Sequence, residues 1–164
     1  MSMVSRLLVG GGLVLCIPMP TAAQDAGCTP LYDAVRKAHE QPGVERTSTL
    51  GDPAKPDMVM VARKTAAGWY QRMGTAPWRA MTIDPDAAEK KMLQSADTFT
   101  QCAAGATEAV DGEPARVWSY MVSVGPTPTA SRMWISVARG LPLKVQAERV
   151  LQVSTYQATP FPKP

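Results

Sequence analysis

Catalysis and metal binding need nucleophiles, bases or ligands placed in register with one another, and this chain of 164 residues holds few of them. His39 is its one histidine, so a Ser/His/Asp triad or a His-based metal centre would have to be built around it. It falls at the end of an apolar-periodic segment beside Glu40, where the negative end of a helix dipole favours an imidazole, and no partner motif accompanies it. Cys28 and Cys102 lack the Cys-x-x-Cys spacing that tunes a redox thiol. Met58 and Met60 alternate on one strand face as soft Cu(I) ligands would, yet with no His or Cys nearby in sequence they read as adaptable filling. Asp84 and Asp86 stand at a helix start, where carboxylates cap backbone N–H groups. Gly10-Gly11-Gly12 lies in the leader and cradles no phosphate. With no nucleophile, base and orienting group in one pattern, neither an enzyme nor a metal or other cofactor is expected.

The remaining objects of interest are apolar. Trp69, Trp78, Trp118 and Trp134 fall on predicted strands, and Met58, Met60, Tyr120, Met121 and Met133 add wide, adaptable surface. These residues are the candidates for lining an apolar ligand cavity, although the same types would equally fill an ordinary core.

Residues 1–23 read as a signal peptide. Arg6 supplies the positive start, residues 7–17 form an apolar run too short to span a bilayer, and Thr21-Ala22-Ala23 offers small residues before cleavage at Gln24. An uncut anchor and a lipidated cysteine are the alternatives. Cys16 lies inside the apolar run, and Cys28 has Asp25 where a lipidation signal wants Leu, so association with the outer membrane stays open on this ground alone. Export places the chain in the periplasm. Loss of the leader removes Cys16, and Cys28 and Cys102 are then expected to form one disulfide, against two free thiols or an intermolecular bridge. The formal charge is +3, and +2 once Arg6 leaves. The basic residues are scattered along the chain, which excludes nucleic acid as a partner class. A monomer is expected.

The elements that must position these residues follow from periodicity and punctuation. Thr29-Pro30 reads as an N-cap and first turn, and Leu31, Ala34, Val35 and Ala38 make the apolar face of a helix over 29–41. Short strands follow at 44–50, 58–63, 69–73 and 78–83. Asp84-Pro85 starts a second helix over 85–96, with Ala88, Met92, Leu93 and Ala96 inward and Glu89, Lys90 and Lys91 facing away. Strands at 98–110 and 115–124 flank Asp111-Gly112, the strongest hairpin signal in the chain, and Gly105 marks a bulge in the first of them. On the second, Trp118, Tyr120, Val122 and Val124 share a face, opposite a mixed face of Val117, Ser119, Met121 and Ser123. Strands at 132–138, 143–147 and 149–158 complete the chain. Pro160, Pro162 and Pro164 form a tail that cannot extend a ladder. The fold class is α+β: a strongly curved antiparallel sheet of about eight or nine strands, with two short helices covering its concave face.

The tract Val110-Asp111-Gly112-Glu113-Pro114-Ala115, then Val117-Trp118-Ser119-Tyr120, Met133-Trp134-Ile135-Ser136 and Gly140-Leu141-Pro142-Leu143-Lys144, resembles the C-terminal half of LolA-like proteins, periplasmic carriers of outer-membrane lipoproteins and their relatives. Tyr156 and Pro160 fit the family's closing strand and Pro-rich end. The mature chain also looks like small exported bacterial proteins with one early Cys in a helix and one before this hairpin, here Cys28 and Cys102. The resemblance implies an unclosed β-barrel over residues 24–164 as one domain, a hydrophobic cavity for a lipid or lipoprotein acyl chain, and no catalysis. The carrier's release-linked Arg lies on an early strand; Arg46 and Arg63 are on early strands here, and the resemblance assigns the role to neither. The competing expectation is an envelope structural or protein-interaction module with the same fold and a filled interior.

Overall fold

A computed structural model describes residues 26–52, 54–95, 98–123 and 127–164. The expected leader at 1–23 lies outside the described residues, as do Ala96 and Val124 of the predicted elements. Helix α1 spans Thr29–His39 and follows a 3-10 turn at Ala26–Cys28. Its N-cap is Cys28 and not Thr29, with no side-chain cap bond: the 3-10 turn has already fixed the entry of the chain, so Thr29 is drawn into the helix. The stripe of Leu31, Ala34, Val35 and Ala38 is buried as its spacing requires, together with Tyr32 and His39.

The strands are β1 (Gly43–Asp52), β2 (Lys55–Thr65), β3 (Gly68–Met73), β4 (Arg79–Ala80), β5 (Phe99–Val110), β6 (Glu113–Val122), β7 (Thr129–Ser136), β8 (Pro142–Ala147) and β9 (Val150–Gln157), with helix α2 (Pro85–Met92) between β4 and β5. They form one antiparallel sheet in the order β4-β3-β2-β1-β9-β8-β7-β6-β5. Its two end strands do not pair, so the curved sheet is an unclosed barrel. Strand β4 is shorter than the expected 78–83, because Asp84 caps α2 immediately afterwards through an Asp86 N–H bond of 2.9 Å and pulls Thr82 and Ile83 out of the sheet. At the β5–β6 hairpin Asp111 and Gly112 both take positive φ, 49° and 83°, as a primed two-residue turn requires. Register slips in β5 between Thr100 and Ala103 and between Ala104 and Thr107 bracket Cys102 and Gly105.

The covered face is closed from one side by α1. A disulfide joins Cys28 to Cys102 with the Cα atoms 5.2 Å apart, fixing the start of α1 to edge strand β5. Below it, the rings of Tyr32 and Phe99 lie 4.8 Å apart and those of Phe99 and Tyr120 5.2 Å apart. They anchor the largest apolar cluster with Leu31, Val35, Met133 and Ile135. The tail folds back across the start of β1. Thr159 crosses so close to Gly43 that a Cβ there would sit 2.2 Å from the Thr159 carbonyl oxygen. Phe161, the residue between two prolines that retains an N–H, then makes a single parallel bridge to Thr65. That is one bridge and not a ladder, as the flanking prolines dictate.

Candidate functional site

Alternation along the strands sends one residue in two to the helix-covered face. From β6 these are Tyr120 and Val122, from β7 Ser131 and Met133, from β8 Val145 and Ala147, and from β9 Gln152, Ser154 and Tyr156. Val35 and Ala38 of α1 and Met92 of α2 face them. Between sheet and helices lies a cavity of about 220 Å³, largely apolar, with Arg46 and Glu89 at its wall. The Tyr156 hydroxyl donates to the Pro142 carbonyl at 2.7 Å. Burial pushes the phenols of both Tyr120 and Tyr156 up to about 12, since a phenolate in this setting would lose its hydration.

The wall toward α2 is a charged network. Arg46 of β1 donates to Glu89 at 2.5 and 3.1 Å, and its guanidinium lies 5.1 Å from the Trp69 ring centre. Glu89 also meets the His39 ring, Nε2 to Oε2 at 2.7 Å. Lys64 pairs with Asp86 at 2.7 Å and donates to the His39 carbonyl at 2.9 Å. Four elements are thereby held together: the end of α1, the first turns of α2, and strands β1 and β2. His39, Asp86 and Glu89 offer ligand atoms within 4.8 Å of one another. Glu89 is already paired with Arg46 and Asp86 Oδ2 with Lys64, while Asp86 Oδ1 is buried and meets no hydrogen-bond partner among the described residues.

Of the residues proposed from sequence as cavity lining, Tyr120 and Met133 line this cavity. Trp118 is half-buried and packs on the main apolar cluster beside them. The others lie elsewhere. Trp69 is buried in a separate cluster with Val44 and Ala62. Trp134 belongs to a cluster with Ala115, Val117 and Leu143 on the opposite face, and its Nε1 donates to Glu108 at 2.7 Å. Met121 lines a wider, more open depression of about 620 Å³ with Ser119 and Arg132. Met58 and Met60 are on β2, Met58 exposed and Met60 half-exposed, and Trp78 flanks β4 at the sheet edge. The helix α2 face also differs from expectation. Ala88 is exposed, whereas Glu89, expected to face away, turns inward to Arg46. With Arg46 available as a buried partner, the acid gains more from facing inward than an alanine methyl would. The missed signal was Arg46 itself: it sits between Val44 and Ser48 on the inward alternation of β1, and an inward arginine calls for a buried acid.

No protein-family model matches the sequence, and no curated protein does. Solved structures do share the fold. LprF from Mycobacterium bovis superposes with a TM-score of 0.58 at 10% identity, covering 84% of this chain and 95% of its own. The Mycobacterium tuberculosis lipoprotein LppX superposes with a TM-score of 0.51 at 8% identity, covering 79% and 93%. The curved, unclosed sheet with helices on its inner side, implied by the resemblance to LolA-like proteins, is therefore both the fold observed and one that this chain shares with these two mycobacterial proteins.

Proposed function

We propose that this chain is a non-catalytic, exported periplasmic binding protein whose cavity takes one slender apolar ligand, such as a single acyl chain of a lipid or lipoprotein. The cavity of about 220 Å³ between sheet and helices carries the reading. The space is half open to solvent and lined mostly by apolar side chains, so an apolar occupant would remove that surface from water. Its volume falls below the roughly 300–1,000 Å³ of drug-sized ligand pockets, which limits the cargo to one chain unless α2 lifts. The disulfide supports an oxidising compartment. Tyr120 and Met133 are proposed as contacts, and the other sequence-chosen tryptophans and methionines as structural.

Native mass spectrometry of protein purified from the periplasm is expected to show a co-purifying lipid, and the stripped protein to take up a fluorescent fatty acid. Val145→Trp, which fills the cavity, is expected to abolish uptake while the protein still melts cooperatively. A clean apo mass together with no uptake would favour the second reading, an envelope interaction module. The small size of the cavity is the observation on that side.

A further inference from the structure

The cations that are scattered in sequence converge at the β4 edge of the sheet, on a patch built of arginines and aromatic rings. We infer that this edge docks the protein on an anionic lipid bilayer, whatever the cavity holds. Trp78 lies between two guanidiniums, 4.8 Å from Arg63 and 5.0 Å from Arg72. Arg63 also stacks on Phe161 at 5.1 Å, and Lys163 lies 5.8 Å from the Tyr70 ring. The register partners Arg63↔Tyr70 and Val61↔Arg72 put Arg63, Tyr70 and Arg72 on one face, the one opposite the cavity.

The charge there is unbalanced. Arg63 is paired with Glu45 at 2.6 Å. Arg72, Arg79 and Lys163 are exposed, and among the described residues no acidic side chain pairs with any of them. Arg79, whose register partner Gln71 puts it on the other face from Arg72, lines with Arg72 a groove of about 280 Å³ at the edge itself, together with Gln71, Met73, Ala76 and Pro77 and with no acidic residue. Met73 is 50% exposed.

Guanidiniums bind phosphate in bidentate geometry, and amphipathic Trp and Tyr rings settle at the headgroup level of a bilayer. An apolar groove opening between two arginines suits the boundary between headgroups and acyl chains. An acidic protein would satisfy the cations but not this combination of headgroup-seeking rings and open apolar floor. Near an anionic surface each cation strengthens binding about fivefold, and the attraction weakens as salt screens it.

Co-sedimentation of the disulfide-bonded protein with vesicles tests this. The protein is expected to pellet with phosphatidylcholine vesicles containing phosphatidylglycerol at low salt, and not with phosphatidylcholine alone. Arg72→Glu/Arg79→Glu is expected to weaken binding on the order of tenfold or more. Lys90→Glu/Lys91→Glu makes the same charge change on the exposed side of α2 and is expected to retain most of it. Lys163→Glu, on the tail, is expected to weaken binding without touching the sheet. Equal losses in the two double variants, or no binding of the unmodified protein to the anionic vesicles, would overturn the inference; an acidic protein partner without vesicle binding would do so as well.

Discussion

Glu89 is shared between a guanidinium and an imidazole, and removing it strands both inside the fold. The Arg46 side chain is only 10% exposed. Breaking a pair of this kind from one side leaves an uncompensated buried charge, so Glu89→Ala is expected to cost about 3 kcal/mol in urea unfolding. Arg46→Met/Glu89→Met removes both charges and should recover most of that loss, a coupling that a double-mutant cycle reads directly. The two buried phenols set an alkaline limit. Their folded values of about 12 stand above the ordinary 10, so the folded state holds protons that the unfolded state releases. Their contribution to stability is complete below pH 10 and lost as pH rises to about 12. Tyr120→Phe and Tyr156→Phe are each expected to flatten the fall in melting temperature across that window. At this scale the unused clue was Arg46, whose place between Val44 and Ser48 marks it as inward. The sequence was misleading about Glu89, because α2 spans only Pro85–Met92: over two turns a few apolar residues do not define a stripe, and a charged partner across the fold decides the orientation.

Elements with local causes were legible. Asp84-Pro85 started a helix where expected because the capping bond to the Asp86 N–H lies within three residues. Asp111-Gly112 made its hairpin because the turn demands positive φ at both positions. The lengths of β4 and α2 were less legible, since each ends where its neighbour competes for the same backbone groups. Cys28 and Cys102 were expected to pair from compartment chemistry and are 74 residues apart. Closing a loop of that length is worth roughly 4 kcal/mol in the chain-entropy model. Reduction is therefore expected to lower stability by about that amount, and hydrogen exchange should quicken first in α1, whose start loses its tie to β5. The crossing at Gly43 gives a sharper test of the tail. Gly43→Ala drives a methyl into the Thr159 carbonyl, with an expected cost of about 1–3 kcal/mol, and proteolysis at the C-terminus should then begin ahead of global unfolding.

At the scale of the molecule, a run of short strands with tight turns was enough to place a wide antiparallel sheet, and a wide sheet curls. The cavity was not legible, because Val35, Met133, Val145 and Tyr156 come together only through the curvature and the strand order. Most of the tryptophans chosen from sequence belong instead to the other face or to separate clusters, where large rings pack equally well. The strand order has a further consequence in time. β1 to β4 form one meander and β5 to β9 another, each made by neighbours in sequence, and among the described strands the seam between them is the first strand against the last, from Gly43↔Gln157 to Leu50↔Val150. Each half can assemble as soon as it is synthesised, but the seam waits for the final residues and carries the largest loop-closure cost. Until it forms, β1 and β9 are open edges, the kind of surface that pairs with other chains. A chaperone acting on this protein would therefore do most by shielding β1 during the interval before β9 arrives.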